Sequence, residues 1–144
     1  MLFQRLNKEN PERIFQLMQA NEANVAADDV VQLELTAASV DGVKIVQPNT
    51  GELNATVGIA DAAIGNGNFG LVQIFGYRST SRVLQTGTSL TLGVALGPVA
   101  GSDMLASNAS IAPSYLPAFV LLESGASAPG ADSTISKKVF IRCM

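Results

Sequence analysis

The sequence predicts an all-β fold, a compact β-sandwich or barrel that admits jelly-roll connectivity, with an N-terminal arm or short extended segment ahead of it. Three observations predict it. Apolar residues alternate with polar ones in runs of strand length, clusters of turn-forming residues separate those runs, and no internal repeat or break in composition divides the 144 residues. The expected organisation is one β domain over 1–144, with 1–12 as its arm.

The first element admits two readings. Asn10-Pro11-Glu12 is good helix-start chemistry, and Ile14, Leu17 and Met18 share one helical face. Alternatively, Leu2 to Leu6 and Arg13 to Gln19 are two short extended segments turning at Asn7 to Pro11, and the β pattern downstream favours this strand reading. Next, Val31, Leu33 and Leu35 alternate with Gln32 and Glu34, as in a half-buried strand. Val43 and Ile45 flank Lys44; Val57 and Ile59 alternate with small residues; Leu90, Leu92, Val94 and Leu96 alternate with Thr91, Gly93 and Ala95. The runs Leu71 to Tyr77, Phe119 to Leu122 and Val139 to Cys143 are more uniformly apolar, as strands covered on both faces would be. Turns fall at Asp41-Gly42, Pro48 to Gly51, Gly65 to Asn68 and the small-residue stretch Ser124 to Ser133, of which Gly125 to Asp132 reads as a mobile loop. The expected core is Val31, Leu33, Leu35, Val57, Ile59, Val72, Ile74, Val139 and Ile141.

Charged residues make up 15% of the chain, against about 25% in typical soluble domains. A weakly polar exterior of this kind suits a subunit covered by neighbours, so self-association is expected. A net charge of −3 removes the electrostatic footprint that phosphate backbones require, which argues against nucleic acid as a partner. Charge is also unevenly placed. Between Gln16 and Gly76 seven acids face only Lys44, while Arg78, Arg82, Lys137, Lys138 and Arg142 make the C-terminal half mildly basic. The start Met1-Leu2-Phe3-Gln4-Arg5 lacks the pattern of a cleaved secretion signal, and the uncharged stretch Val83 to Ser102 is too rich in Gly, Thr and Ser for a spanning helix, so no membrane association is expected.

Chemistry has little to work with. The chain has no histidine and a single cysteine, Cys143, so no intramolecular disulfide, thiolate metal cluster or His-based triad is available, and the expectation is a protein without catalytic, cofactor or metal residues. Gly65-Asn66-Gly67-Asn68-Phe69-Gly70 has the G-x-G-x-x-G spacing of a dinucleotide-binding turn, but Leu71 to Phe75 after it reads as strand instead of the required helix, so a glycine-rich hairpin connection is expected. Asp28 and Asp29 point apart if extended and can act together only across a turn. Asp41, Asp61, Asp103 and Asp132 sit in turn-like settings without calcium-loop spacing. Gln73 is the only polar side chain between Leu71 and Phe75 and must find partners if that strand is buried. Arg78, Arg82 and Arg142 are candidates for polar anchoring of a partner, and Leu2, Phe3, Arg5 and Leu6 for arm contacts with a neighbour, unless the arm is simply an edge strand of its own domain.

Several of these residues also carry a resemblance. The stretch Pro11 to Phe15, the turn Asp41-Gly42-Val43, the segment Val57 to Asp61, the run Gly70 to Arg78 and the ending Lys137 to Met144, in this order, resemble the capsid decoration or cement proteins of tailed bacteriophages. The resemblance implies a compact β protein, commonly a homotrimer, made in the host cytoplasm and carried on the outer surface of the virion. There it would bridge neighbouring major capsid protein subunits. Cys143 stands where the family pattern ends in a small or aliphatic residue, and Leu84 to Ala118 has no counterpart, so no interface positions are carried over there. A head-fibre or host-adhesion module is the alternative, favoured by an exposed aromatic pocket around Tyr77, Tyr115 and Phe119; a hydrolase would need two carboxylates about 5 to 10 Å apart across a cleft.

Overall fold

The computed structural model describes residues 12–21, 23–35, 42–86, 89–107, 118–125 and 132–143. It is all-β, as expected. The strands are β1 (Arg13–Ala20), β2 (Val30–Leu33), β3 (Lys44–Val46), β4 (Thr56–Ala60), β5 (Phe69–Arg78), β6 (Arg82–Thr86), β7 (Ala95–Pro98), β8 (Leu105–Ser107), β9 (Phe119–Leu121), β10 (Asp132–Ser136) and β11 (Val139–Arg142), with a one-turn 3-10 helix at Leu53–Ala55. No helix among the described residues is long and apolar enough to cross a membrane.

The strands follow the order β1-β3-β2-β4-β5-β11-β9-β7-β8-β6-β10, and an additional β1–β5 pairing closes the first five into a barrel. β5 is therefore shared. It closes the barrel on one edge and starts the second sheet on the other, through antiparallel pairing with β11. Its 10 residues are long enough to do both.

Two cores lie on opposite sides of the barrel wall. Inside the barrel, Met18, Ala20, Val31, Ile45, Ala60 and Val72 pack together. Between the wall and the second sheet, Val30 and Ile59 pack against Val83, Leu96, Leu105, Phe119, Leu121, Val139 and Ile141. Consecutive residues of β2 thus face different cores, and both Val30 and Val31 are buried. A register shift against β4 between Val31 and Gln32 follows, after which Gln32 and Glu34 are buried and Leu35 is 41% exposed. That corrects the expected half-buried strand, since Leu35 is not a core residue. Leu33, Val57 and Ile74 are half-buried at the margin of the barrel core. Gln32 is satisfied by donating to Glu52 Oε2 at 3.3 Å and accepting from the Asn49 N–H at 3.0 Å.

Arg13–Ala20 is a strand because its partner overrides the helix-start signal: seven of its residues pair antiparallel with β5. At its start, Gly76 (φ +101°) lets the chain cross closely, since a Cβ there would stand 2.0 Å from the Glu12 carbonyl oxygen. The expected strand through Leu90 to Leu96 is interrupted, because residues 92–93 form a turn with Gly93 at φ +84° and β7 begins only at Ala95. β10 begins at Asp132, inside the stretch expected to be turn; residues 126–131 of the expected mobile loop lie outside the described residues. The expected arm, with Leu2, Phe3, Arg5 and Leu6, likewise lies outside them.

Candidate functional site

Where β5 ends and β6 begins, two arginines are held by two adjacent aspartates. The turn before β2 places Asp28 at φ +69°, and this left-handed residue swings successive carboxylates toward different partners. Asp28 takes Arg78: its Oδ1 accepts from Nη2 at 2.6 Å and from Nε at 3.1 Å. Asp29 takes Arg82, accepting from Nη1 at 2.9 Å, and Arg82 Nη1 also donates to Asp103 in the β7–β8 turn. The turn that the sequence required between the two aspartates is thus present.

Arg78 is almost completely enclosed. Beyond Asp28, it donates to the Thr80 carbonyl at 2.8 Å, the Ala60 carbonyl at 2.9 Å, Asp61 Oδ1 at 3.2 Å and Gln73 Oε1 at 3.3 Å. Gln73, fully buried, donates in turn to the carbonyls of Phe75 and Tyr77. The polar residue that needed partners has them, and the arginine expected to anchor a neighbour spends its donors within the chain. Arg82 keeps a side chain 37% exposed, and Arg142 is exposed on β11 opposite Phe75. Of the three arginines, these two retain a solvent-facing surface.

The Arg82 cluster borders a cleft of about 250 Å³ lined by Asn21, Asn24, Gln47, Val46, Asp29 and Asp103. Burial, with Asp103 contributing, pushes the Asp29 carboxyl above its ordinary range, against the lowering effects of the Ala26 N–H and Arg82. Asp29 Oδ2 accepts from that N–H at 2.7 Å and Oδ1 from Arg82, so both oxygens are occupied. Two carboxylates do share a cleft, yet both are tied to one guanidinium. Among the described residues no group of three or more His, Cys, Asp or Glu side chains could hold a metal ion. The Cys143 thiol is pushed up to about 12 by burial, which makes it a poor nucleophile.

The glycine-rich stretch is a turn leading into β5, as expected: Asn68 N–H donates to the Gly65 carbonyl, Gly67 sits at φ +78°, and Asn24 Oδ1 accepts from the Asn66 N–H. Phe119 is wholly buried and Tyr77 half-buried, so no exposed aromatic pocket forms on that pair; Tyr115 lies outside the described residues. Sequence reasoning missed a different surface. Leu17, Phe69 and Leu71, 59%, 57% and 48% exposed, gather on the outside of the β1–β5 ladder, where Leu17 faces Leu71 and Gln19 faces Phe69. The signal was present in the alternation of Leu17 with buried Met18 and of Leu71 with buried Val72, but alternation alone does not say which face is covered.

No protein-family model matches the chain, and no curated protein matches it either. Among solved structures the chain is similar to the N base of head fiber gp8.5 from bacteriophage phi29, at 13% sequence identity and a TM-score of 0.50, over 92% of this chain and 96% of that one. The similarity extends through both the barrel and the second sheet, and establishes the fold.

Proposed function

We propose that this chain is a structural protein of a bacteriophage virion, carried on the outer surface of the head and acting by contact without catalysis. The observation that carries the reading is the likeness, over nearly the full length of both chains, to the base of a phage head fiber. The charge-poor composition supports it, because function then comes from contact area repeated over a symmetric lattice. Arg82 and Arg142, with exposed surface near opposite ends of the second sheet, are the polar contacts; the major capsid protein is the partner, and a homotrimer the working assembly.

Two roles fit this placement. A head-fibre base anchors an appendage, and the neighbour's description favours it; a cement protein ties capsid subunits together, and the resemblance of Gly70 to Arg78 and Lys137 to Met144 favours that. The test is to incubate the purified chain with expanded heads and with free capsid subunits, then image the heads. Tight binding to heads and weak binding to subunits supports a virion role, and equal affinity for both overturns the lattice argument. Density at every local symmetry axis together with raised head stability identifies cementing; density at few positions without stabilisation identifies a fibre base.

A further inference from the structure

One rim of the barrel gathers polar side chains that the fold itself does not use. β1 and β3 run parallel, with Ala20 opposite Ile45, so both leave the barrel at the same end, and β2, antiparallel to β3, enters there. Asn21, next after β1, and Gln47, next after β3, line the cleft at this rim together with Asp29 from the turn before β2. The β7–β8 turn closes the cleft from the second sheet. Gly101 N–H donates to the Pro48 carbonyl at 2.7 Å, and Val30 N–H donates to the Asp103 carbonyl at 3.0 Å. With Arg82 held on Asp29 and Asp103, these bonds set the walls before any ligand arrives.

We propose that this cleft binds one ring of a neutral saccharide. Its volume of about 250 Å³ lies just below the roughly 300 to 1,000 Å³ of pockets that enclose drug-sized ligands, which suits a single ring. Its chemistry suits hydroxyls. The carboxamides of Asn21 and Gln47 make no hydrogen bond to another described residue, and Asn24 spends only Oδ1, on the Asn66 N–H at 2.8 Å. A carboxamide both donates and accepts, as a hydroxyl does, so three of them converging on one cleft match a polyhydroxyl edge. Val25 and Val46 supply apolar wall for the C–H face of the ring. Charge argues against ions. Asp29 and Asp103 share one guanidinium, which leaves an excess of negative charge to repel an anion, and both Asp29 oxygens are taken by N–H donors, which leaves them unable to ligate a metal cation. No aromatic side chain lines the cleft among the described residues, so ring stacking contributes nothing and the dissociation constant is expected at about 1 to 10 mM.

The experiment titrates the full, ¹⁵N-labelled chain with methyl α-glucoside, methyl α-galactoside and N-acetylglucosamine, and with glucuronate as the charged comparison, following amide shifts by NMR. At least one neutral sugar should give saturable shifts centred on Asn21, Asn24, Gln47 and Asp103, their side-chain NH₂ signals included, with glucuronate binding at least fivefold more weakly. Asn21→Ala and Gln47→Ala should each weaken binding roughly fivefold to tenfold. Neither should move the urea midpoint, because neither side chain bonds within the described fold. Absence of saturable shifts from all three neutral sugars up to about 100 mM overturns the proposal. So do shifts centred elsewhere, glucuronate binding as tightly as the neutral sugar, or unchanged affinity in both variants. The titration involves no phage heads, so its failure leaves the virion reading standing.

Discussion

Arg78 Nη2 donates to Asp28 Oδ1 at 2.6 Å across 50 residues of sequence. The contact ties the turn before β2 to the end of β5, and the Arg78 side chain is 7% exposed. Because every remaining donor is also used, this arginine fastens the fold from within.

Arg78→Met should therefore destabilise the chain by about 3 to 5 kcal/mol, since it leaves the Asp28 carboxylate without its countercharge and Gln73 Oε1 without its donor in a mostly buried site. Arg78→Lys should recover only part of this, because an ammonium cannot reproduce the planar fork. Urea unfolding of the three proteins checks it; a loss below about 1 kcal/mol for Arg78→Met would show the network to be dispensable.

Asp29 gives the stability a particular dependence on pH. Burial raises its carboxyl above the ordinary 3.8, so the folded chain binds this proton more tightly than the unfolded chain. The associated stability is fully present below about pH 3.8 and is lost as pH rises through the folded value. Measured by urea unfolding across the acidic range, the stability of wild type minus that of Asp29→Asn should fall with rising pH and then level off. A difference that increases with pH would contradict the burial argument.

Two glycines with positive φ separate steric from conformational cost. Gly76→Ala places a Cβ 2.0 Å from the Glu12 carbonyl oxygen, whereas Gly67→Ala at φ +78° meets nothing within 4 Å. Gly67→Ala should cost about 1 to 2 kcal/mol, the penalty of a left-handed backbone alone. Gly76→Ala should cost more and shift the β1–β5 register, visible as lost amide protection at Arg13 and Ile14.

Truncation of Ile141, fully buried, to Ala should cost about 2 to 5 kcal/mol, while Leu35→Ala should fall within about 0.5 kcal/mol of wild type. Thermal melts of the two variants compare directly. Equal losses would return Leu35 to the core.

That pair also marks how far the sequence could be read. Val139 and Ile141 stand two apart on one face that lies wholly in the core, as period two places them, whereas Phe140 is half-buried and Arg142 exposed, so the strand is covered on one face and not on both as its apolar run implied. β2 defeats the same rule, because Val30 and Val31 enter different cores and the register shifts at Gln32; the polar face that alternation assigns to solvent, Gln32 and Glu34, is buried, and Leu35 is exposed. β8 and β10 are short, and no local pattern marks them, because their ladders pair residues far apart, such as Val83 with Leu105 and Ile135 with Val83. At the site, the need of Gln73 for partners was legible, but the identity of the partners was not. Arg78 looked like a surface anchor because the carboxylates that bury it come from distant turns at Asp28 and Asp61.

The barrel wall has one further consequence. Val30 and Ile59 lean into one core while their neighbours Val31 and Ala60 lean into the other, so neither half can melt without stripping the strands that the other half is built on. Unfolding is thereby made cooperative across the whole described fold, and a load applied at either sheet is borne by β2, β4 and β5 together, as in a beam whose two flanges share a single web.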